Sequence, residues 1–240
     1  MRKLIVLLLG VLFLTGCVVK FDVSSDVKPD TMLCADLLEQ AHGEKFNATL
    51  VGNNSQFGDE PFFFVAYSNA DPDLWFNVSV EDNALVQDEF YFRKACREAE
   101  LIFNSELSVL GIDTSSYAYI DSTNAYSCTN DMTLDELCSA VVANCKNPDI
   151  KSFAKLYTVI PEGALIESDL KQLCEDVASK LPYLDSYTFE IFFVPSSKLF
   201  VCKEQVAHSY TFFNRGNIAN WCDMKDLAAS FTMTVEGTKS

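Results

Sequence analysis

The sequence predicts an α+β fold made of two tandem, related modules. Three observations carry that reading. Two amphipathic segments share one plan and one inward Leu-Cys pair: Leu33, Cys34, Leu37, Leu38 and Ala41 in the first, Leu137, Cys138, Val141, Val142 and Cys145 in the second. Each is followed by an apolar strand and a further helix with an inward cysteine. Each half then closes with two short strands, so a helix–strand–helix–strand–strand unit is written twice.

The first module spans 31–130. Its opening helix stops at Gly43, and Phe46 to Val51 reads as a strand. An extra hairpin fills 61–80. Its strands, Pro61–Tyr67 and Leu74–Val80, are joined by Ser68-Asn69-Ala70-Asp71-Pro72-Asp73, a turn by its Asn, Asp and Pro content. Phe62 to Tyr67 is apolar on both faces and predicts a covered, central strand. In the partner strand Leu74, Phe76, Val78 and Val80 share one face, and Trp75, Asn77 and Ser79 the other. Trp75 is the aromatic this pattern offers to a binding partner. Phe92, Ala95, Cys96, Ala99 and Phe103 then mark a helix, and Tyr117–Asp121 with Ala125–Cys128 the closing strands.

The second module spans 131–240. Thr133-Leu134-Asp135-Glu136 is a capping box, in which the Thr and Glu side chains each satisfy a free backbone N–H at the helix start. A strand follows at Phe153 to Ile160, and a helix at Ile166, Leu170, Leu173, Cys174, Val177 and Leu181. Tyr187–Val194 and Leu199–Val206 read as the closing strands. A C-terminal extension offers a strand at Tyr210 to Phe213, a turn at 214–217 and a short helix at Trp221 to Phe231. In this alignment Cys34, Cys96 and Cys128 correspond to Cys138, Cys174 and Cys202.

The N-terminus carries an address. Met1, Arg2 and Lys3 precede an apolar run from Leu4 to Phe13, interrupted only by Gly10, which is the pattern of an export signal and too short for a membrane span. It ends in Leu14-Thr15-Gly16-Cys17, which resembles the lipobox of bacterial lipoprotein precursors. The resemblance covers about the first twenty residues. It implies removal of residues 1–16, lipid attachment to the Cys17 thiol, and a tether over 17–30. The mature chain is then an extracytoplasmic, membrane-anchored lipoprotein. Val18 rather than Asp after the cysteine implies the outer membrane if the host has two. In a eukaryotic secreted protein, by contrast, Asn47-Ala48-Thr49 and Asn77-Val78-Ser79 would be glycosylation acceptors.

Loss of Arg2 and Lys3 takes the formal charge from −16 to −18. Such a field opposes nucleic acid and anionic headgroups alike, so the expected membrane contact is the lipid and the expected partner is another envelope protein. Nine cysteines are present. With Cys17 assigned to lipid, Cys34, Cys96, Cys128, Cys138, Cys145, Cys174, Cys202 and Cys222 form an even set. In an oxidising compartment that set predicts four disulfides, whose connectivity spacing does not reveal.

The sequence offers no catalytic, cofactor-binding or metal-ligating constellation. His42 and His208 are the two histidines, and neither has a partner at metal-ligand spacing. Ser152-Phe153-Ala154-Lys155 has the S-x-x-K spacing, but in a strand, where side chains three apart face opposite ways. Asp71, Asp73, Glu81, Asp82, Asp88 and Glu89 are hard oxygen donors without the spacing of a calcium loop. The expected function is therefore non-catalytic binding or scaffolding in the cell envelope. The alternatives are an envelope hydrolase, which would need a histidine or a carboxylate pair brought together in a cleft, for instance His208 beside a serine or cysteine, and an immunity-type protein that masks a basic partner.

Overall fold

The computed structural model describes residues 31–53, 61–121, 131–145, 151–207 and 229–237. Helix α1 (Thr31–His42) ends at Gly43, whose φ of +75° is the left-handed conformation that terminates helices. Strands β1 (Phe46–Asn53), β2 (Phe62–Ser68), β3 (Trp75–Glu81) and β4 (Ala84–Asp88) follow as an antiparallel meander in that spatial order. The β3–β4 turn holds Asp82 and Asn83 at φ of 52° and 58°, the left-handed pair that a two-residue hairpin requires. Strand β2 is central and largely buried on both faces. On one of them, Cys34 and Leu38 of α1 pack with Phe46, Phe62, Phe64, Phe76 and Val78.

Helix α2 (Phe90–Val109) is 20 residues long, about 30 Å at the helical rise. It serves two cores. Phe90 belongs to the core of the first sheet, whereas Ala95, Cys96, Ala99, Phe103 and Leu107 belong to that of the second. The chain continues as β5 (Ser115–Asp121), α3 (Leu134–Asn144), β6 (Phe153–Pro161), α4 (Glu167–Lys180), β7 (Ser186–Val194), α5 (Leu199–Ala207) and β8 (Ala229–Glu236).

The second sheet has the order β5-β6-β7-β8 and is mixed. β6 and β7 are parallel, joined through α4, while β5 and β8 pair antiparallel at the two edges. One face packs on α2, α3 and α4. On the opposite face Tyr117, Tyr157, Val159, Phe192 and Val194 pack with Cys202 and Val206 of α5. Burial of β6 on both faces matches its near-continuous apolar run.

The fold is thus α+β: the described residues form two four-stranded sheets with five helices packed against them. The capping box is present: Thr133 Oγ1 accepts the Glu136 N–H at 3.3 Å, and Glu136 Oε2 accepts the Thr133 N–H at 2.8 Å. Three local expectations need correction. Leu199–Val206 is helical rather than a strand. Leu199, Cys202 and Val206 do share one helical face, but the exposed Phe200 and Val201 hide that period in the sequence. The helix expected up to Phe231 gives way to β8, where Phe231, Met233 and Val235 alternate inward with polar residues outward. Strand β5, expected to close the first module, pairs with β6 and lies in the second sheet, because α2 carries the chain there. The expected strands at Ala125–Cys128 and Tyr210–Phe213, the turn at 214–217 and most of the helix from Trp221 lie outside the described residues, as do residues 1–30 with Cys17.

Candidate functional site

The candidate partner-facing aromatic, Trp75, opens β3 directly opposite Tyr67 of β2. Both are half-buried, and their rings lie 4.8 Å apart at 32°. Cross-strand aromatics on one face attract each other and stiffen the hairpin end that carries them. The connecting turn is also fixed. Arg97 on α2 reaches Asp71 and Asp73 at 3.5 Å each, and donates from Nη1 to Glu100 Oε2 at 3.0 Å. Ser68 Oγ and Asp71 Oδ1 accept the N–H groups of Ala70 and Asp73, the local bonding that Ser and Asp bring to turns. The result is an aromatic pair beside two half-exposed or exposed carboxylates, held by a helix rather than by a loop.

Beneath this surface lies a buried network that the sequence reading did not single out. Arg93 is 1 % exposed. Its Nε donates to the Trp75 carbonyl at 3.2 Å, Nη1 to the Ala118 carbonyl at 3.1 Å, and Nη2 to Glu100 Oε1 at 2.8 Å. Glu100 Oε1 also accepts the Ala118 N–H at 2.9 Å. The guanidinium carbon sits 4.7 Å from the Tyr117 ring centroid, within cation–π range. Burial pushes the Tyr117 hydroxyl well above its ordinary pKa, with Arg93 opposing that rise. One signal was legible: Arg93 and Glu100 are seven apart, so they share a helix face adjoining the inward stripe of Cys96, Ala99 and Phe103.

His42 closes α1 in an aromatic nest. Its Nε2 lies 3.2 Å from Asp88 Oδ1, and the rings of Phe46, Phe90 and Tyr91 stand 4.7–5.7 Å from its own. Nδ1 is buried without a hydrogen-bond partner among the described residues. Cys34 lies on the same helix, but eight residues away, about 12 Å along the axis. That separation is too great for direct Cys–His proton transfer. Burial, with the Asp88 carboxylate adding to it, pushes the Cys34 thiol up to about 12, away from the thiolate a nucleophile needs. His208 lies outside the described residues.

Ser152 is fully buried, and both its N–H and its Oγ donate to Asp185 Oδ2 at 2.8 Å. Tyr183 donates to the other oxygen of that carboxylate, also at 2.8 Å. This clasp fixes the start of the parallel β6–β7 pair; Ser152 is committed to it and, among the described residues, has no lysine partner in the S-x-x-K sense. The acidic stretch is likewise divided. Asp71 and Asp73 face Arg97, Asp88 faces His42, and Glu89 accepts from Asn77 at 3.0 Å. Among the described residues no group of three His, Cys, Asp or Glu side chains could hold a metal ion. Asn77 is 1 % exposed, so a glycan cannot sit there on the folded chain, whereas Asn47 is exposed on β1.

The expected four-disulfide framework is not what the described residues carry. Cys34, Cys96, Cys138, Cys145, Cys174 and Cys202 are free thiols, and all but the half-buried Cys145 are buried. They serve as small apolar residues on inward helix faces. Burial pushes the thiols of Cys96, Cys138 and Cys174 up to about 12, as it does for Cys34. Cys17, Cys128 and Cys222 lie outside the described residues.

No protein-family model matches the chain, and no curated protein matches it. Among the described residues no helix is long and apolar enough to cross a membrane. By fold, the chain is similar to a solved DUF5037 family protein from Ruminococcus gnavus, with a TM-score of 0.61 at 12% identity over 87% of this chain and 92% of that one.

Proposed function

We propose that this chain is a lipid-anchored, extracytoplasmic protein whose folded body binds another protein or a component of the cell envelope without catalysis. The observation that carries the reading is Leu14-Thr15-Gly16-Cys17, placed at the end of a ten-residue apolar run behind Arg2 and Lys3. A formal charge of −18 after cleavage leaves the lipid, rather than a basic surface, as the membrane contact. The Tyr67–Trp75 pair supports the binding half. It is a rigid aromatic surface beside Asp71 and Asp73, on a hairpin braced by Arg97.

Palmitate labelling in a bacterial host tests the anchor. The wild-type chain takes up label and sediments with membranes, and Cys17→Ala does neither. Equal labelling of the two, or a soluble wild-type product that starts elsewhere, overturns the anchor. Cross-linking in intact envelopes tests the binding half. A discrete adduct forms with the wild type and is lost in Trp75→Ala, whose urea transition keeps its cooperativity; an adduct indifferent to Trp75 removes the hairpin from the reading. Loss of the adduct with rising salt favours the alternative of a masked basic partner, because exposed charge pairs are screened and apolar contacts are not.

A further inference from the structure

Five of the free thiols are distributed over separate cores. Cys34 packs beneath the first sheet, Cys96, Cys138 and Cys174 lie in the helical core of the second, and Cys202 lies under α5 on the opposite face. A disulfide from Cys34 to any of the other four would join cores that the fold keeps apart. Any fully paired oxidised state of the eight cysteines beyond Cys17 would also consume all six thiols that the folded chain leaves unbonded.

We propose that the chain folds only with Cys34, Cys96, Cys138, Cys145, Cys174 and Cys202 reduced and that the folded core then shields the five buried ones. Oxidation before folding traps the protein, and oxidation after folding does not. The chemistry is ordinary thiol–disulfide exchange. Two thiols lose two protons and two electrons and form one S–S bond, while glutathione disulfide takes these up and leaves as two glutathione molecules. In the folded protein the attacking thiolate is scarce, because burial holds Cys34, Cys96, Cys138 and Cys174 at about 12. Access is closed as well, since each is at most 1 % exposed. The inference rests on the burial of these thiols and their separation among cores, not on the lipidation of Cys17.

The test uses the chain from residue 17 with Cys17→Ser. It is unfolded in urea, and one portion is kept in reductant while the other is oxidised with glutathione disulfide. Both are then diluted into buffer. The reduced portion regains its far-UV circular dichroism and a cooperative urea transition. The oxidised portion does so only after reductant is added. Folded protein held in the same glutathione disulfide keeps its core thiols, and iodoacetamide alkylates Cys34, Cys96, Cys138 and Cys174 at least about a hundredfold more slowly than in urea. Refolding of the oxidised chain without reductant, failure of the reduced chain to refold, or core thiols reacting at their unfolded rate would each overturn the proposal.

Discussion

Glu100 Oε1 receives two donors at once, Arg93 Nη2 at 2.8 Å and the Ala118 N–H at 2.9 Å, while Arg93 Nη1 donates to the carbonyl of that same Ala118. The two side chains therefore give Ala118 what a neighbouring strand would give it. β5 is an edge strand of the second sheet, and its outward N–H and C=O at this position are buried. Buried backbone groups need partners, and here an ion pair supplies them. Because Arg93 also holds the Trp75 carbonyl, one guanidinium joins β3 of the first sheet to β5 of the second.

Replacing both members of a buried ion pair with apolar residues is often neutral or stabilising. That compensation is absent here, because an Arg93→Met and Glu100→Leu chain leaves the Ala118 N–H and C=O and the Trp75 carbonyl without these partners. Each single variant is expected to lose about 3–5 kcal/mol. The double variant stays at least about 3 kcal/mol below wild type, the cost of several orphaned buried groups. Urea unfolding measures this; a double variant as stable as wild type would show that the pair's bonds to backbone carry no weight.

Alkali is expected to unfold the protein through its buried acids. The folded thiols of Cys34, Cys96, Cys138 and Cys174 and the Tyr157 hydroxyl are raised to about 12, burial being the first cause in each. Below the ordinary thiol value of about 8.5, folded and unfolded chains bind these protons equally, and the stability is fully present. Above it the unfolded chain ionises and the folded chain does not, so stability falls until the folded value is passed. Each thiol contributes a loss of about 1.4 kcal/mol per pH unit in that window. Urea midpoints in reductant from pH 7 to 11 should fall steeply above pH 9, and a flat profile would contradict the burial of these thiols.

Gly237 follows β8, and its N–H bonds the Asp185 carbonyl at 2.9 Å. A Cβ there would stand 1.7 Å from the Leu184 carbonyl oxygen, a backbone atom that cannot swing aside. Gly237→Ala is expected to detach the end of β8 at a loss of about 1–3 kcal/mol. Hydrogen exchange reads it directly. The amides of Val235 and Gly237 lose protection while those of Leu156 and Val159 in β6 keep theirs.

Thr133→Ala removes one half of the capping box on α3, leaving the Glu136 N–H without its acceptor. The expected loss is about 1 kcal/mol. For a chain of this size that lowers Tm by about 2–4 °C. Thr133→Ser keeps the acceptor and should stay within a degree of wild type in calorimetry.

The sequence by itself determined the elements whose signals are local. The helix stop at Gly43, the capping box at Thr133 and Glu136, the central hairpin strand Phe62 to Tyr67 and the inward cysteine of each long helix follow from periodicity, capping and turn chemistry. Those signals act over a few residues and need no distant partner. What depends on distant partners was decided only by the tertiary structure. Leu199–Ala207 became a helix because Leu199, Cys202 and Val206 bury together against β5 and β6, while Phe200 and Val201 remain outside. β5 joined the second sheet because a 20-residue helix delivers it beside β6. Among the described residues six cysteines stay unpaired; Cys34, Cys202 and the trio Cys96, Cys138 and Cys174 lie in three different cores, a matter of position in space that an even count does not contain. Arg93 and Glu100 are two ordinary helix charges in sequence; their role exists only where the Trp75 and Ala118 backbones, 43 residues apart, converge on them.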